Sequence, residues 1–565
     1  MTATTSQPLD TDLAALRAGA TAWVSTGPAE RAVLVERLIR DVVAVADEWA
    51  AACIAAEGLD PQHPSAAEEA LVGPYFFLRN LRLLRDALRD IARQGVPRIP
   101  GPVRTRPDGQ VTARVFPSSA YDRLFYPFIS AEVWMEPGVT AAELPATQAM
   151  AYRGDADPKG RICLVLCAGN VSSIGPMDIV SKLFVENEVA VFKLHPVNAY
   201  LGPILEVGLR ALIERDALRF VDGGADVGAA LCAHPEVDEI HMTGSDRTYE
   251  AIVFGPGPEG QARKARGERL DHKPVSAELS NVSPVIVVPG RWSAGDIASQ
   301  AENVATMLTN NGGFNCNAAR VIVTHGGWPQ RGQFLAAVRE RLALTPTRVA
   351  YYPGAAARFD AFIAAHPEAK QLGARTADRL PWAIVEGVDP ERRDDICFTT
   401  ESFCSIFAET ALPAASTAEF VDLAVRFANE TLWGTLNATV IVDGRTGRQP
   451  AVRAAVERAL TNLHYGTVSL NAWAALGFAL GTTTWGAFPG HVPTDIGSGV
   501  GVVHNTLMFG RPQKTVIRAP FRPILKPVWY VSNRTAHRLT PRLSRFEAGP
   551  SPLALPAIFA LALLG

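Results

Sequence analysis

From residue 160 onward, short apolar strands alternate with helical stretches. Arg161–Cys167 reads as a strand, Pro176–Val185 as a helix and Val189–Leu194 as the next strand. The alternation resumes after Glu278, with a strand at Val285–Val288 and a helix after it. Strands separated by crossover helices are typical of a parallel sheet. We therefore predict an α/β protein with two doubly wound domains, the boundary lying near residue 275.

The flanking segments have different patterns. Residues 10–95 carry apolar positions at helical spacing, whereas residues 111–135 alternate in short extended runs. We predict N-terminal helices and a first α/β domain over residues 1–275 and a second α/β domain over 276–470. Residues 471–525 would return to the first region, and 526–565 would form an apolar extension. The extended runs would form a small β flap.

Composition narrows the class of protein. A chain of 565 residues is too long to form a single hydrophobic core, and 48% of its residues are hydrophobic. The net charge is −3, and no basic domain is present that would suit nucleic acid. The seven cysteines are odd in number and scattered, which argues against a disulfide framework. No Cys/His spacing is typical of zinc. We expect a cytoplasmic protein without a metal.

The two termini differ in character. Met1–Thr5 lacks the basic start and apolar core of a signal peptide. Leu553–Gly565 is nearly all apolar but is shorter than the roughly 20 residues that a membrane-spanning helix needs. We favour a tail that packs on the protein or on another subunit. Contact with a membrane or a lipophilic substrate stays an alternative.

One cysteine lies where a reactive thiol is expected. Cys316 follows the small residues Asn311-Gly312-Gly313 and precedes an apolar strand, so it can face a cleft near free backbone N–H groups. Upstream, Glu278 ends another short apolar run. A thiol and a carboxylate on two loops indicate covalent catalysis with a separate general base. The alternative for Cys316 is a buried structural thiol.

Two glycine-rich turns could approach a phosphate. In the first, a strand runs into Thr243-Gly244-Ser245 and then into a helical stretch, which suits a phosphate at a helix N-terminus. The second holds Gly224 and Gly228. Each signal is weak, because Ser is an ordinary helix cap and such glycines also form plain turns. The Gly-x-Gly-x-x-Gly dinucleotide fingerprint is absent.

Taken in order, these segments resemble the aldehyde dehydrogenase superfamily from about residue 160 to about 520. Cys167-Ala168-Gly169-Asn170 stands in place of the family's Pro-Trp-Asn loop, and Phe192-Lys193-Leu194-His195-Pro196 resembles its lysine-bearing strand. Met242-Thr243-Gly244-Ser245 matches Phe-Thr-Gly-Ser, and Ala277-Glu278-Leu279-Ser280-Asn281 resembles Glu-Leu-Gly-Gly-Lys. Gly313-Phe314-Asn315-Cys316 replaces Gly-Gln-x-Cys, and Thr400-Glu401-Ser402-Phe403 resembles Glu-Glu-Ile-Phe.

The resemblance implies a role for each matched residue. Cys316 would attack an aldehyde carbon as thiolate, and Asn170 with the Cys316 N–H would hold the oxyanion. Glu278 would activate the water that hydrolyses the resulting thioester. Lys193 and Glu401 would bind the two riboses of NAD or NADP. The remaining predicted cofactor contacts are Gly224, Gly228, Gly244, Ser245 and Phe403.

The departures from the family pattern leave alternatives open. Pro196 stands where NAD-preferring relatives commonly carry an acid that binds the adenine ribose, so NADP is as plausible as NAD. The Ala168-Gly169-Asn170 loop also resembles that of the fatty acyl-CoA reductases, in which acyl-CoA acylates the thiol and NADPH delivers hydride. A catalytically silent binding or structural relative is the third reading. Glu278 favours hydrolysis, and Cys316 together with Glu278 argues against a silent protein.

Further expectations follow from the family. Its members are commonly dimers or tetramers built by strands that cross between subunits, and the runs near 111–135 and 505–520 could serve that purpose here. The substrate would be a small-molecule aldehyde, with a lipophilic one as an option. The sequence does not determine which aldehyde is used.

Overall fold

The structure is a computed structural model that describes residues 6–154 and 157–565. Met1–Thr5, where no signal peptide is predicted, lies outside the described residues. The helices are α1 Ser6–Val24, α2 Pro28–Ala56, α3 Ala67–Ala70, α4 Phe76–Gln94, α5 Ala120–Phe125, α6 Leu144–Thr147, α7 Ile174–Phe184, α8 Gly202–Gly208, α9 Arg210–Ile213, α10 Ala225–Ala233, α11 Asp246–Val253, α12 Gly257–Arg266, α13 Ala294–Thr309, α14 Arg331–Leu344, α15 Ala355–Ala365, α16 Ile396–Thr399, α17 Thr417–Glu430, α18 Pro450–Asn462, α19 Leu476–Ala479, α20 Ala536–Ala548 and α21 Leu555–Leu563.

The strands alternate with these helices through most of the chain. They are β1 Val103–Thr105, β2 Val111–Phe116, β3 Ser130–Met135, β4 Ile162–Leu166, β5 Val189–Lys193, β6 Leu218–Val221, β7 Glu239–Thr243, β8 Val275–Glu278, β9 Pro284–Val287, β10 Val321–His325, β11 Lys370–Leu372, β12 Trp382–Val388, β13 Ile406–Leu412, β14 Asn437–Ile441, β15 Thr467–Leu470, β16 Trp485–Gly486, β17 Gly499–Val500, β18 Val502–His504 and β19 Pro512–Arg518.

The first large sheet has six strands in the order β17-β8-β7-β4-β5-β6. Strands β4 to β8 pair in parallel, and β17 closes the edge antiparallel to β8. Every residue of β5 is buried, as expected for a parallel strand covered on both faces. Glu278 is the last residue of β8, so the chain leaves this sheet after residue 278.

The second large sheet has eleven strands in the order β1-β2-β3-β19-β15-β14-β9-β10-β13-β12-β11. Its centre, from β19 to β12, is parallel, and antiparallel strands complete both edges. Two α/β units with large parallel sheets are therefore present, which confirms the predicted fold class.

The extended runs near 111–135 and 505–520 lie side by side in this second sheet. Helix α5 separates β2 from β3, and β3 pairs antiparallel with β19, Val133 opposite Thr515. β19 in turn pairs in parallel with β15. The predicted flap strands thus extend the chain's own catalytic sheet, and their exchange between subunits stays a prediction.

The apolar C-terminus packs on the rest of the protein through one face. α20 and α21 share a small core in which Leu539, Phe546, Ile558 and Leu561 are buried. The opposite face leaves Leu553 91% exposed and, at the end of α21, Leu563 70% exposed. A search of the described residues finds no helix with the length and apolarity needed to cross a bilayer.

Candidate active site

A cavity of about 1120 Å³ opens where the carboxyl ends of the first sheet meet the thiol loop. Residues at or just after the ends of β4, β5, β7 and β8 line it, together with Cys316. The crevice beyond the carboxyl ends of parallel strands is the usual ligand position in open α/β sheets. The structure therefore places the predicted thiol at the mouth of a ligand cleft.

The thiol loop depends on backbone conformations that few residues adopt. After α13 the chain passes through Asn311, Gly312 and Gly313 with φ of 51°, 61° and 85°. A Cβ on Gly313 would lie 2.5 Å from the Cys404 carbonyl oxygen, so this position needs glycine. The left-handed turn is what lets the chain reverse between α13 and β10 and present Cys316.

Arg320 ties this loop to the segment that carries Glu401 and Phe403. Its buried guanidinium donates to the carbonyls of Gly313 at 2.7 Å and Cys404 at 3.0 Å, and to Ser402 Oγ at 3.1 Å. Burial lowers the Arg320 pKa, while the charge of Glu401 acts to raise it. Arg320 was not among the predicted site residues. The sequence signal that could have identified Arg320 is a positive charge directly before an apolar strand.

Cys316 and Glu278 are in contact. Burial raises the Cys316 pKa well above its ordinary value, and the neighbouring Glu278 raises it further by charge and by hydrogen bonding. Burial also raises the Glu278 pKa, against the lowering effect of its hydrogen bond to Cys316. The thiol therefore lies beside the Glu278 carboxyl group, and burial shifts the pKa of each group toward its protonated form.

A tryptophan orients that carboxylate. The Trp485 indole N–H donates to Glu278 Oε2 at 2.7 Å, and both side chains are buried. Sequence reasoning missed Trp485, because it lies 207 residues away from Glu278. Only the pairing of β16 and β17 with their partner strands brings it there.

Asn170 lies in the same cavity, and both its side-chain amide and its backbone carbonyl are hydrogen-bonded. Its Nδ2 donates to the Phe314 carbonyl at 2.8 Å, and its own carbonyl accepts from Asn311 Nδ2 at 2.6 Å and from the Tyr351 hydroxyl at 3.1 Å. A carboxamide has two N–H donors, so one stays available. The structure brings Asn170, Glu278 and Cys316 together, as the predicted chemistry requires.

A buried polar cluster lies next to Glu278. His504 Nε2 is 2.9 Å from one Asp178 carboxylate oxygen, and His241 Nε2 is 3.5 Å from the other. Burial would raise the Asp178 pKa, but the two histidines outweigh it and lower the pKa to about 2. The His504 charge in turn acts to lower the Glu278 pKa.

Six of the seven predicted cofactor residues line the large cavity: Lys193, Gly228, Gly244, Ser245, Glu401 and Phe403. The exception is Gly224, which caps α10 and is followed by the lining residue Ala225. Ser245 caps α11 by accepting from the Thr248 N–H at 3.2 Å, so the amides of this helix start face the cleft. Burial lowers the Lys193 pKa.

The hydrogen bonding of Glu401 indicates whether the large cavity suits a nucleotide. Its Oε1 atom is buried and has no hydrogen-bond partner among the described residues. Burial raises the Glu401 pKa to about 7, although Arg320, Ser280 and the Asn281 backbone act to lower it. A buried carboxylate oxygen without a donor in a large cleft suits a ligand hydroxyl group.

The absence of a metal was also predicted. Among the described residues, two groups could offer three ligand atoms within 4.8 Å of one another: His366, Asp395 and Cys397, and Cys163, Glu188 and Glu239. In the first, His366 already bonds Asp395 and Glu368, both at 2.9 Å. In the second, Glu239 is paired with Lys182 at 2.7 Å. These protein partners account for both groups, and the absence of a metal stays a prediction.

The fold and this cleft together define a class: a two-sheet α/β protein whose nucleotide-type crevice meets a loop-borne thiol paired with a carboxylate. Residues 191–348 match the family model described as the aldehyde dehydrogenase family. The chain is similar to N-succinylglutamate 5-semialdehyde dehydrogenase of Sphingopyxis alaskensis, with 30% identity over 167 residues. That alignment spans 29% of this chain and only 28% of the relative.

Solved structures extend the likeness to nearly the whole chain. NADP-dependent glyceraldehyde-3-phosphate dehydrogenase from Bacillus halodurans, complexed with NADP, has a TM-score of 0.59 at 16% identity, over 91% of each chain. A variant of aldehyde dehydrogenase C from Pseudomonas syringae, complexed with NAD+ and octanal, has a TM-score of 0.59 at 19% identity, over 91% of this chain and 89% of that one. The family model and the curated relative confirm the resemblance to the aldehyde dehydrogenase superfamily over the part of the chain that they match, and the solved structures show the same fold over nearly the whole chain.

Proposed function

We propose that this protein oxidises an aldehyde to a carboxylate with NAD or NADP, through an acyl intermediate on Cys316. The observation that carries the proposal is the contact between the Cys316 thiol and the buried Glu278 carboxylate at the mouth of a nucleotide-sized cleft. A thiol suits this chemistry because it is both a good nucleophile and a competent leaving group. A carboxylate beside it can serve a later hydrolytic step.

In the first step, the Cys316 thiol releases its proton to solvent, and the thiolate Sγ attacks the aldehyde carbon to give the oxyanion form of a thiohemiacetal. The developing oxyanion accepts hydrogen bonds from the free Asn170 N–H and from the Cys316 backbone N–H. Asn170 is fixed for this task by Asn311 and Tyr351, which hold its backbone carbonyl. A pre-positioned donor stabilises the oxyanion without reorganising during the reaction.

The cleft has the groups that a nicotinamide nucleotide needs. Glu401 Oε1 would accept from a ribose hydroxyl, Lys193 would bind the second ribose, and Gly244 with Ser245 would receive a phosphate. When bound, this cofactor supplies the hydride acceptor for the oxidation. Pro196 puts no carboxylate against a 2′-phosphate, so we keep both NAD and NADP.

Glu278 then acts as the general base that activates water against the thioester. Burial raises its pKa above the ordinary value of a glutamate, which makes the carboxylate a stronger base. Trp485 holds Glu278 Oε2 by its indole N–H, and the same carboxyl group interacts with the thiol. A CoA-linked reductase has no need of this base, so Glu278 favours hydrolysis over that alternative.

The test follows cofactor reduction by absorbance, using purified protein, NAD or NADP and a panel of aldehydes. Cys316→Ala should reduce the rate by about 10⁴-fold or more, whereas Cys53→Ala, a buried thiol of α2, should leave it unchanged. Glu278→Gln should retain one rapid turnover of cofactor and lower the steady-state rate by about 10²–10⁴-fold. Activity that requires CoA would select the reductase, and failure to bind either cofactor would select a silent relative.

We also expect a homodimer or homotetramer in a reducing, cytoplasmic environment. The described cysteines are all free thiols, consistent with that environment. Light scattering on the purified protein measures the oligomeric state, and a monomeric mass would contradict the expected assembly.

A further inference from the structure

A second, narrow cavity also reaches the thiol. It has a volume of about 60 Å³, and Cys316 and Glu278 line it as they line the large cleft. Much of the rest of its wall comes from elements that do not line the large cleft: residues 71–76 up to the start of α4, Tyr126, the segment 473–479 and Trp529. Because both cavities reach Cys316, an aldehyde can bind at the thiol in the narrow cavity while a nucleotide occupies the large cleft.

The wall of this cavity is mainly apolar and aromatic, and its polar side chains include the asparagines Asn310, Asn315 and Asn317 near the thiol. Its large side chains are Phe76, Tyr126, Trp473, Leu476, Phe478 and Trp529. The Tyr126 hydroxyl is already paired with the Tyr75 hydroxyl at 3.0 Å. Among the described residues that line it, Glu278 is the only one with a formal charge at neutral pH. Glu278 interacts with Cys316 at the reacting end, so a charged group at the far end of an aldehyde would lose its water and meet no oppositely charged side chain along the wall.

One wall residue comes from the C-terminal arm, which we define as residues 519–565. Trp529 packs between the core of the second sheet and the core formed by β2, β3 and α19. Val531 N–H donates to Thr306 Oγ1 at 3.1 Å, and Ser532 Oγ donates to the Glu302 carboxylate. Both partners lie on α13, the helix that ends at the thiol loop. The same helix therefore positions both the arm and the thiol loop.

Buried ion pairs hold the far part of the arm. Glu547 of α20 accepts from Arg79 at 2.9 Å and from Arg82 at 2.5 Å, and Arg79 also bonds Asp122 at 2.9 Å. Arg79, Asp122 and Glu547 are each at most 4% exposed at the side chain. The arm is therefore an integral part of the fold, and its position at the cavity is set from both ends.

We infer that the C-terminal arm completes a substrate tunnel for uncharged apolar aldehydes, with Trp529 as a specificity-determining residue. The inference rests on the proposed function and names its substrate class. A narrow apolar channel accepts an unbranched aliphatic chain or a flat aromatic ring. It disfavours aldehydes that carry a carboxylate or an ammonium group at the far end, because the wall away from Cys316 and Glu278 offers no charged side chain.

The first experiment compares kcat/KM for octanal and benzaldehyde with that for succinate semialdehyde and 4-trimethylammoniobutanal. The neutral aldehydes should be preferred by about 100-fold or more. Trp529→Ala should lower kcat/KM for octanal by about 10-fold and change that for propanal less. Ile524→Ala is the matched control: it lies on the same arm, is 63% exposed and does not line the tunnel.

A charge introduced at the same position gives a second, independent readout. Trp529→Arg should raise kcat/KM for succinate semialdehyde relative to octanal by about 10-fold or more, because the guanidinium supplies the missing counter-ion. If charged and neutral aldehydes are used equally well, or if both Trp529 variants leave the ratios unchanged, the inference is overturned while the proposed function stands.

A third readout needs no turnover. Alkylation of Cys316 by neutral iodoacetamide and by anionic iodoacetate, followed by mass spectrometry, reports which charges reach the sulfur. In the wild-type protein, the ratio of the iodoacetamide rate to the iodoacetate rate should exceed the same ratio in the unfolded chain. Trp529→Arg should lower this ratio. If no aldehyde reduces either cofactor, the proposed function fails, and this ratio still decides whether the tunnel selects against charge. An unchanged ratio in Trp529→Arg would refute the inference.

Discussion

Trp485 donates its indole N–H to Glu278 Oε2 at 2.7 Å, in a buried position next to Cys316. The bond takes one lone pair of Glu278 Oε2 and restrains the carboxyl group, which also interacts with the thiol. Charge-assisted hydrogen bonds of this kind are among the stronger ones in proteins. The reactivity of the site therefore depends on this pair as well as on the thiol.

Trp485→Phe should lower kcat about 10-fold and leave the KM for cofactor nearly unchanged. The lost bond acts to lower the Glu278 pKa, so its removal should move the pH midpoint of the steady-state rate upward. The measurement is the pH profile of kcat. Trp382→Phe is the matched control, since that indole bonds the Thr345 carbonyl away from the site. Identical profiles for both variants would contradict the positioning role.

Glu278→Gln should speed the alkylation of Cys316 by iodoacetamide near neutral pH. The Glu278 charge raises the Cys316 pKa, and its removal increases the thiolate fraction, by about tenfold for each unit of pKa. The measurement is the alkylation rate between pH 6 and 9, followed at the peptide that contains Cys316. A slower reaction in the variant would mean that Glu278 removes the thiol proton instead of repelling the thiolate.

Arg320→Lys should weaken the thiol loop although the charge is retained. The guanidinium reaches the Gly313 and Cys404 carbonyls and Ser402 at once, which a single ammonium group cannot do. We expect a loss of about 2–4 kcal/mol in the free energy of unfolding, together with slower acylation. Urea denaturation measures the first. Arg458→Lys, in an exposed pair with Asp422, should change stability by less than about 0.5 kcal/mol.

Cofactor binding should strengthen as pH rises through about 7. The Glu401 pKa is raised to about 7 by burial, so the carboxyl is neutral below that pH and a stronger acceptor for a ribose hydroxyl above it. Arg320, Arg358 and Cys316 are the other ionisable groups that interact with it. Titration calorimetry with the cofactor from pH 6 to 8 gives the profile. Glu401→Gln should flatten it, and an unchanged slope in that variant would rule out Glu401 as the titrating group.

Glu547→Gln should destabilise the C-terminal arm. The substitution leaves Arg79 and Arg82 facing Asp122 alone, one positive charge in excess in a buried place. We expect about 3 kcal/mol lost from the free energy of unfolding. Chemical denaturation measures it, with Glu457→Gln in a more exposed pair with Arg518 as the control. Equal stability of the two variants would show that the ion pairs are not energetically important.

Local patterns predicted the strands and helices of the two sheets closely. The expected strand Val189–Leu194 is β5 Val189–Lys193, and the helix expected after the strand Val285–Val288 is α13, whose start is set by a capping box of Ser293 and Asp296. The division of the chain was harder to see. The boundary was expected near 275, but β8 pairs with β7, and such pairing between distant strands has no local signal.

The chain order and the residue types were enough to predict the α/β class, the thiol at Cys316 and the carboxylate at Glu278, because each lies at the end of a strand or helix that its own periodicity reveals. Tertiary structure alone decided that Trp485 orients Glu278, that Arg320 fixes the thiol loop, that Gly224 lies outside the cleft lining, and that the apolar C-terminus supplies Trp529 to a tunnel. These relationships join residues far apart in the chain, and they arise from packing energies that no single segment contains.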